Sequence, residues 1–138
     1  MSFKTELCLK VIGDQAYEVM SPLVYNNGIE QITVFKGFDF DGASIPKPLW
    51  GIIGSPMTGG YQRAACMHDA MYAAQLFERK VCDRLFFEAM CSEGVDTVRR
   101  HLMYWFVRMF GGKSYEDSSI EEVEKYRKLV EVKSNEQD

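Results

Sequence analysis

No stretch of this sequence approaches the ~20 consecutive apolar residues that a membrane-spanning helix needs. Its opening, MSFKTELCLKVIGDQAYEV, lacks the basic start, apolar run and small-residue cleavage site of a secretory leader. These two absences predict a protein of the cytoplasm of whatever cell makes it, with no membrane partner. Cysteine is scarce, at Cys8, Cys66, Cys82 and Cys91, and no two form a Cys-x-x-Cys pair, so a structural zinc site is not expected. In a reducing compartment the four read as free thiols buried as small hydrophobes. Excess positive charge is lacking too: the net charge is −4, which argues against a general footprint on nucleic-acid backbone. There is no G-x-x-x-x-G-K-[ST] phosphate loop, no G-x-S-x-G elbow, no internal repeat and no heptad run.

What is present suits one globular domain. The 138 residues are 46% hydrophobic and 26% charged, enough to bury a core without staples. Residues 3–12, 17–25 and 32–38 read as strands, with Gly13-Asp14 and Asn26-Asn27-Gly28 as tight turns between them. They predict an antiparallel three-stranded sheet. The segment FDFDGASIPKPLWGIIGSPMTGG holds three of the four prolines and five of the eleven glycines, and reads as an irregular connection. Beyond Gly60 the periodicity becomes helical. Residues 61–77 and 80–92 read as helices, and a third starts at the cap Asp96 and runs to about Phe110, where Gly111-Gly112 stops it. A fourth starts at Ser118 or Ser119 and runs to about Val132. The fold class is α+β, with one domain over 1–133 and a frayed tail over 134–138. The third helix carries RRHLMYWFVRMF, apolar on nearly all sides, which predicts burial. Its Arg99, Arg100 and Arg108 read as solvated or paired side chains rather than a nucleic-acid patch.

The chemistry concentrates between Asp41 and Asp83. At ~100° per residue, Tyr61, Ala65, His68 and Tyr72 share one helix face, with Asp69 at its edge. Asp83 shares a stripe of the next helix with Arg79, Phe86 and Met90, so it faces the core and the neighbouring helix. Arg79 is positioned to neutralise it as an i, i+4 partner. Asp41 and Ser44 stand in the irregular connection, where either side chain can bond its own backbone. Two arrangements satisfy these groups. In one, Asp41, His68, Asp69 and Asp83 converge on a divalent ion such as manganese, magnesium or zinc, whose water is a nucleophile for hydrolysis. In the other, they form a buried polar network that ties loop to helices. Ser44 with His68 as base, or Cys66 with a histidine, are weaker nucleophile pairs. His101 reads as a packed or rim histidine.

The ordered set FKGFDFDGASIPKPLW, YQRAACMHDAMY, CDRLFFEAM and MYWFVRMFGG resembles the domain of unknown function 1353 family, small proteins mostly encoded by bacteriophages and prophages. The match falls on Phe40, Asp41, Ser44, Ile45, Pro46, Ala65, His68, Asp69, Tyr72, Asp83, Met90 and Gly111. The resemblance implies a phage origin, a host-cytoplasm or virion location and a shared polar centre, and supplies no reaction. The His-Asp dipeptide is also similar to that of the HD metal-dependent phosphohydrolases, but no histidine precedes His68 here. The expected function is a small hydrolase of a phosphoester or amide with a divalent metal ion as candidate cofactor, Asp41, His68, Asp69 and Asp83 being its ligands or the acid/base set and Ser44 and Tyr72 orienting a small-molecule substrate. The alternative is a non-enzymatic phage protein: a virion or tail part, or an antagonist of a host protein or nucleotide.

Overall fold

The computed structural model describes residues 2–14, 16–40 and 60–135. Six short strands come first: β1 (Ser2–Phe3), β2 (Leu9–Gly13), β3 (Ala16–Val19), β4 (Leu23–Asn26), β5 (Glu30–Val34) and β6 (Asp39–Phe40). Four helices follow, α1 (Gln62–Ala74), α2 (Arg79–Ser92), α3 (Thr97–Glu116) and α4 (Ile120–Arg127), and then strand β7 (Val130–Ser134). The α+β class is as expected.

In place of one three-stranded sheet there are two antiparallel sheets, ordered β1-β4-β5-β7 and β2-β3-β6. The division falls at Ser21-Pro22, because Pro22 has no N–H to carry a ladder through. Thr5 seals the gap: its Oγ1 accepts from the Val24 amide at 2.9 Å and donates to the Pro22 carbonyl at 3.0 Å. The Asn-Asn-Gly turn forms where expected, between β4 and β5. Gly28 has φ +94°, and the Asn27 side chain accepts the Ile29 and Glu30 amides at 2.9 and 2.8 Å. Leu23, Tyr25, Ile32 and Val34 bury one face of β4 and β5 in the same core as Met67 and Met71 of α1 and Met90 of α2.

Several boundaries differ from the sequence reading. Helix α1 ends at Ala74, because Gln75 turns into the left-handed region at φ 49°. Helix α4 stops at Arg127 rather than near Val132, and VEVKS then alternates as β7, pairing with β5 from Val34–Val130 to Glu30–Ser134. Ser134 therefore belongs to the sheet and not to a tail.

Helix α3 runs through Gly111-Gly112 to Glu116. Of the two, Gly111 serves close approach. A Cβ on Gly111 would stand 2.9 Å from the Tyr72 hydroxyl, whereas one on Gly112 would make ordinary contact with Arg79 at 3.5 Å. Gly111→Ala is therefore expected to destabilise by about 1–3 kcal/mol despite its better helix propensity. Gly112→Ala should be neutral or stabilising by up to about 1 kcal/mol. Urea unfolding of the two variants checks the contrast, and equal effects would contradict it.

Burial also departs from expectation. All four cysteines are free, but only Cys66 and Cys82 are buried; Cys8 and Cys91 are exposed. Helix α3 buries Met103 yet leaves Trp105, Met109 and Phe110 largely exposed. Among the described residues no helix is long and apolar enough to cross a membrane.

Candidate functional site

The small, apolar run AACMHDAMYAA lets α1 pack closely, so His68 and Tyr72 reach α2 one turn apart. Asp83 of α2 has no exposed surface. A carboxylate taken so far out of water needs every lone pair engaged. His68 Nε2 lies 2.7 Å from Asp83 Oδ1, and the Tyr72 hydroxyl donates to the same oxygen at 2.5 Å. Arg108 of α3 donates from Nη1 to Oδ2 at 2.7 Å. The imidazole is held between the rings of Tyr72 and Phe86, with centroids at 4.2 and 4.6 Å.

Arg79 is not the partner of Asp83. It donates instead to the backbone carbonyls of Val107 and Arg108, at 2.9 and 2.5 Å. The reason is directional. Helical side chains lean toward the N-terminus, so a base four residues before an acid leans away from it. Arg108 takes the role from another helix.

Burial works against the charge on Asp83, yet hydrogen bonds from His68, Tyr72 and Arg108 hold its carboxyl below the usual range. Burial lowers His68 against the pull of Asp83, so the imidazole is neutral near pH 7. A neutral ring facing a carboxylate through Nε2 carries its proton there, which leaves a lone pair on Nδ1. Nδ1 faces Asp69 Oδ1 at 4.0 Å.

Asp69 differs from the other two. Its side chain is 40% exposed and lines an open cleft of about 410 Å³ beside Tyr72. Tyr17, Asp39, Glu122 and Tyr126 line the same cleft. The Tyr126 hydroxyl donates to Asp39 at 3.0 Å; burial first, and Asp39 second, push that phenol up to about 12.

Of the residues singled out in the sequence, His68, Tyr72 and Asp83 come together in one network, and Asp69 stands at its edge on the cleft. Asp41 and Ser44 lie outside the described residues. Among the described residues no three His, Cys, Asp or Glu side chains stand close enough to hold a metal ion. His101 sits on the rim as expected, its Nδ1 on the Thr97 carbonyl at 2.7 Å. Arg108 and the cleft residues Asp39, Glu122 and Tyr126 were not foreseen. Only the apolar setting of Arg108 marked it, as a lone charge inside YWFVRMF.

The network sets a pH dependence. Both His68 and Asp83 have folded-state values below their ordinary ones, so the unfolded chain binds more protons as pH falls. Stability should hold above about pH 7, fall from about pH 6.5 as unfolded His68 takes its proton, and fall again below about pH 4 through Asp83. Thermal melts from about pH 8 to about pH 2.5 check both declines. His68→Asn should remove the first decline, and a melting point rising toward pH 5 would contradict the assignment.

A family model described as a protein of unknown function, DUF1353, matches residues 17–107. Two curated proteins of Sinorhizobium fredii (strain NBRC 101917 / NGR234) are similar. "Uncharacterized protein y4jT" is 39% identical over 77 residues, covering 54% of this chain and 22% of that protein. "Uncharacterized protein y4iH" is 37% identical over 71 residues, covering 51% of this chain and 30% of that protein. The chain thus spans less than a third of the length of either relative. No solved structure matches it significantly.

Proposed function

We propose that this chain, which belongs to the DUF1353 family, is a small phage-encoded, metal-dependent hydrolase of an amide or phosphoester. One observation carries the reading: the buried Asp83 occupies Nε2 of His68 and leaves Nδ1 facing Asp69 across 4.0 Å at the side of an open cleft. A metal-bound histidine commonly donates its other ring N–H to a carboxylate, which fixes its orientation and raises its basicity. His68 Nδ1 and Asp69 Oδ1 are the two acceptor atoms that would hold a divalent ion here, with the partly exposed Asp69 side chain closing the remaining distance. In this reading His68 Nδ1 and Asp69 are ligands, and Asp83 stands behind the histidine instead of on the ion. Asp41, the residue after Phe40 of β6, is the third proposed ligand. A divalent ion supplies a water of lowered pKa. Ser44 is assigned to orienting substrate. The Tyr72 ring forms cleft wall, while its hydroxyl serves Asp83. The cleft volume suits a small-molecule substrate.

Metal analysis of the purified chain, with calorimetric titration of Mn²⁺ and Zn²⁺, tests the reading. One ion per chain is expected, with affinity lowered about 10–100-fold in Asp83→Asn, as for other outer carboxylates. Absence of binding by either ion would overturn it.

The second reading, a non-enzymatic phage part acting in the host cytoplasm or virion, draws on the apolar side chains that α3 leaves exposed.

A further inference from the structure

On α3, Val98, Leu102, Trp105 and Met109 recur at steps of four, three and four. At ~100° per residue they fall in a stripe about 60° wide. They are 64%, 38%, 58% and 70% exposed, while Phe110, at 63%, lies about 80° further round the helix against Phe106. The core-facing side of the same helix is already occupied: Met103 is buried, Arg108 reaches Asp83, and Gly111 lies against Tyr72. The stripe is therefore a second apolar face. A stripe this narrow, with alternating steps of four and three, suits a helix-to-helix seam, whereas a face laid on a domain core is broader.

We propose that this stripe is a dimer seam, and that its occupant is α3 of a second copy of this chain, packed antiparallel across a two-fold axis. Three features favour a second copy. The 4-3-4 spacing reads the same in both directions, so an antiparallel copy centred between Met103 and Tyr104 sets Val98 against Met109 and Leu102 against Trp105. Each level then joins a smaller side chain to a larger one, the alternation that fills space between helices. A parallel copy would set Trp105 on Trp105 and Val98 on Val98, leaving a clash and a gap. Charge does not oppose the approach, because Arg99 is paired with Asp96 at 3.3 Å and Arg108 is turned inward to Asp83.

Area sets the strength. The four side chains of the stripe expose roughly 400–450 Å², within the range that monomers leave contiguous. A stable pair needs about 800 Å² from each partner, so the polar rim must supply the rest and the dimer is weak, in the micromolar range. Antiparallel helix dipoles add to it.

Sedimentation velocity of the full chain tests the seam, over concentrations from about 1 to 100 µM. The expected result is a concentration-dependent doubling of mass. Leu102→Glu and Trp105→Lys should each weaken dimerisation at least about tenfold without altering the circular dichroism spectrum. Because Leu102 faces Trp105 of the other copy, the double variant should recover much of the association through two new ion pairs. Met109→Lys, at the most exposed position of the stripe, checks the single-variant result where a variant folds poorly. A wild-type monomer at every concentration would overturn the proposal. So would a dimer indifferent to these substitutions. Failure of the double variant to recover would overturn the antiparallel seating.

Discussion

Asp83→Ala is expected to lower the unfolding free energy by about 3 kcal/mol, the largest loss among single substitutions in the polar centre. The carboxylate receives hydrogen bonds from two neighbouring helices: from His68 and Tyr72 on α1 and from Arg108 on α3. Its removal strands the His68 Nε2–H and the Tyr72 hydroxyl in a site closed to water, and leaves a cavity where a side chain had no exposed surface. Arg108 limits the loss, since its side chain is 28% exposed and can turn to solvent. Tyr72→Phe deletes a single hydroxyl bond and should cost only about 1 kcal/mol. Denaturant unfolding measures both. A loss below about 1 kcal/mol for Asp83→Ala would mean that the network contributes little.

Asp69→Asn should behave in the opposite way. The side chain is partly in water at the cleft, so melting should stay within about 0.5 kcal/mol of the parent. Divalent-ion binding and any hydrolytic activity should fall by about 10²–10⁴-fold, because the amide keeps the shape and loses the charge. Calorimetric titration and an activity screen against amide and phosphoester substrates read the two effects separately. Destabilisation as large as that of Asp83→Ala, with ion binding unchanged, would place Asp69 in the structural network and remove it from the site.

These contrasting neighbours show where sequence reasoning reaches. Helical spacing alone put His68 and Tyr72 on one face and turned Asp83 toward them, because side-chain direction on a helix follows from its period. The α+β class was legible in the change of period after Gly60. Spacing along one helix could not find Arg108, which approaches from α3 and depends on how that helix crosses α2. It also favoured Arg79, the nearest base in sequence, although the lean of helical side chains carries Arg79 away. Gly111-Gly112 looked like a stop signal, since glycine is commonest just past helix ends. Only the crossing against Tyr72 reveals a position that must lack a Cβ. VEVKS is too short for its alternation to outweigh the helix before it, and it becomes a strand because β5 offers an open edge. The cleft residues Asp39, Asp69, Glu122 and Tyr126 come from β6, α1 and α4, which no local pattern connects.

The central claim is that Asp83 holds His68 by Nε2 so that Nδ1 works on the Asp69 side. Long-range ¹H–¹⁵N spectra of the imidazole, recorded at neutral pH before and after one equivalent of Zn²⁺, test it most directly. The account predicts a neutral ring protonated at Nε2, with Zn²⁺ shifting Nδ1 while the Nε2 proton is retained. A ring protonated at Nδ1, or an Nδ1 signal indifferent to the ion, would contradict it.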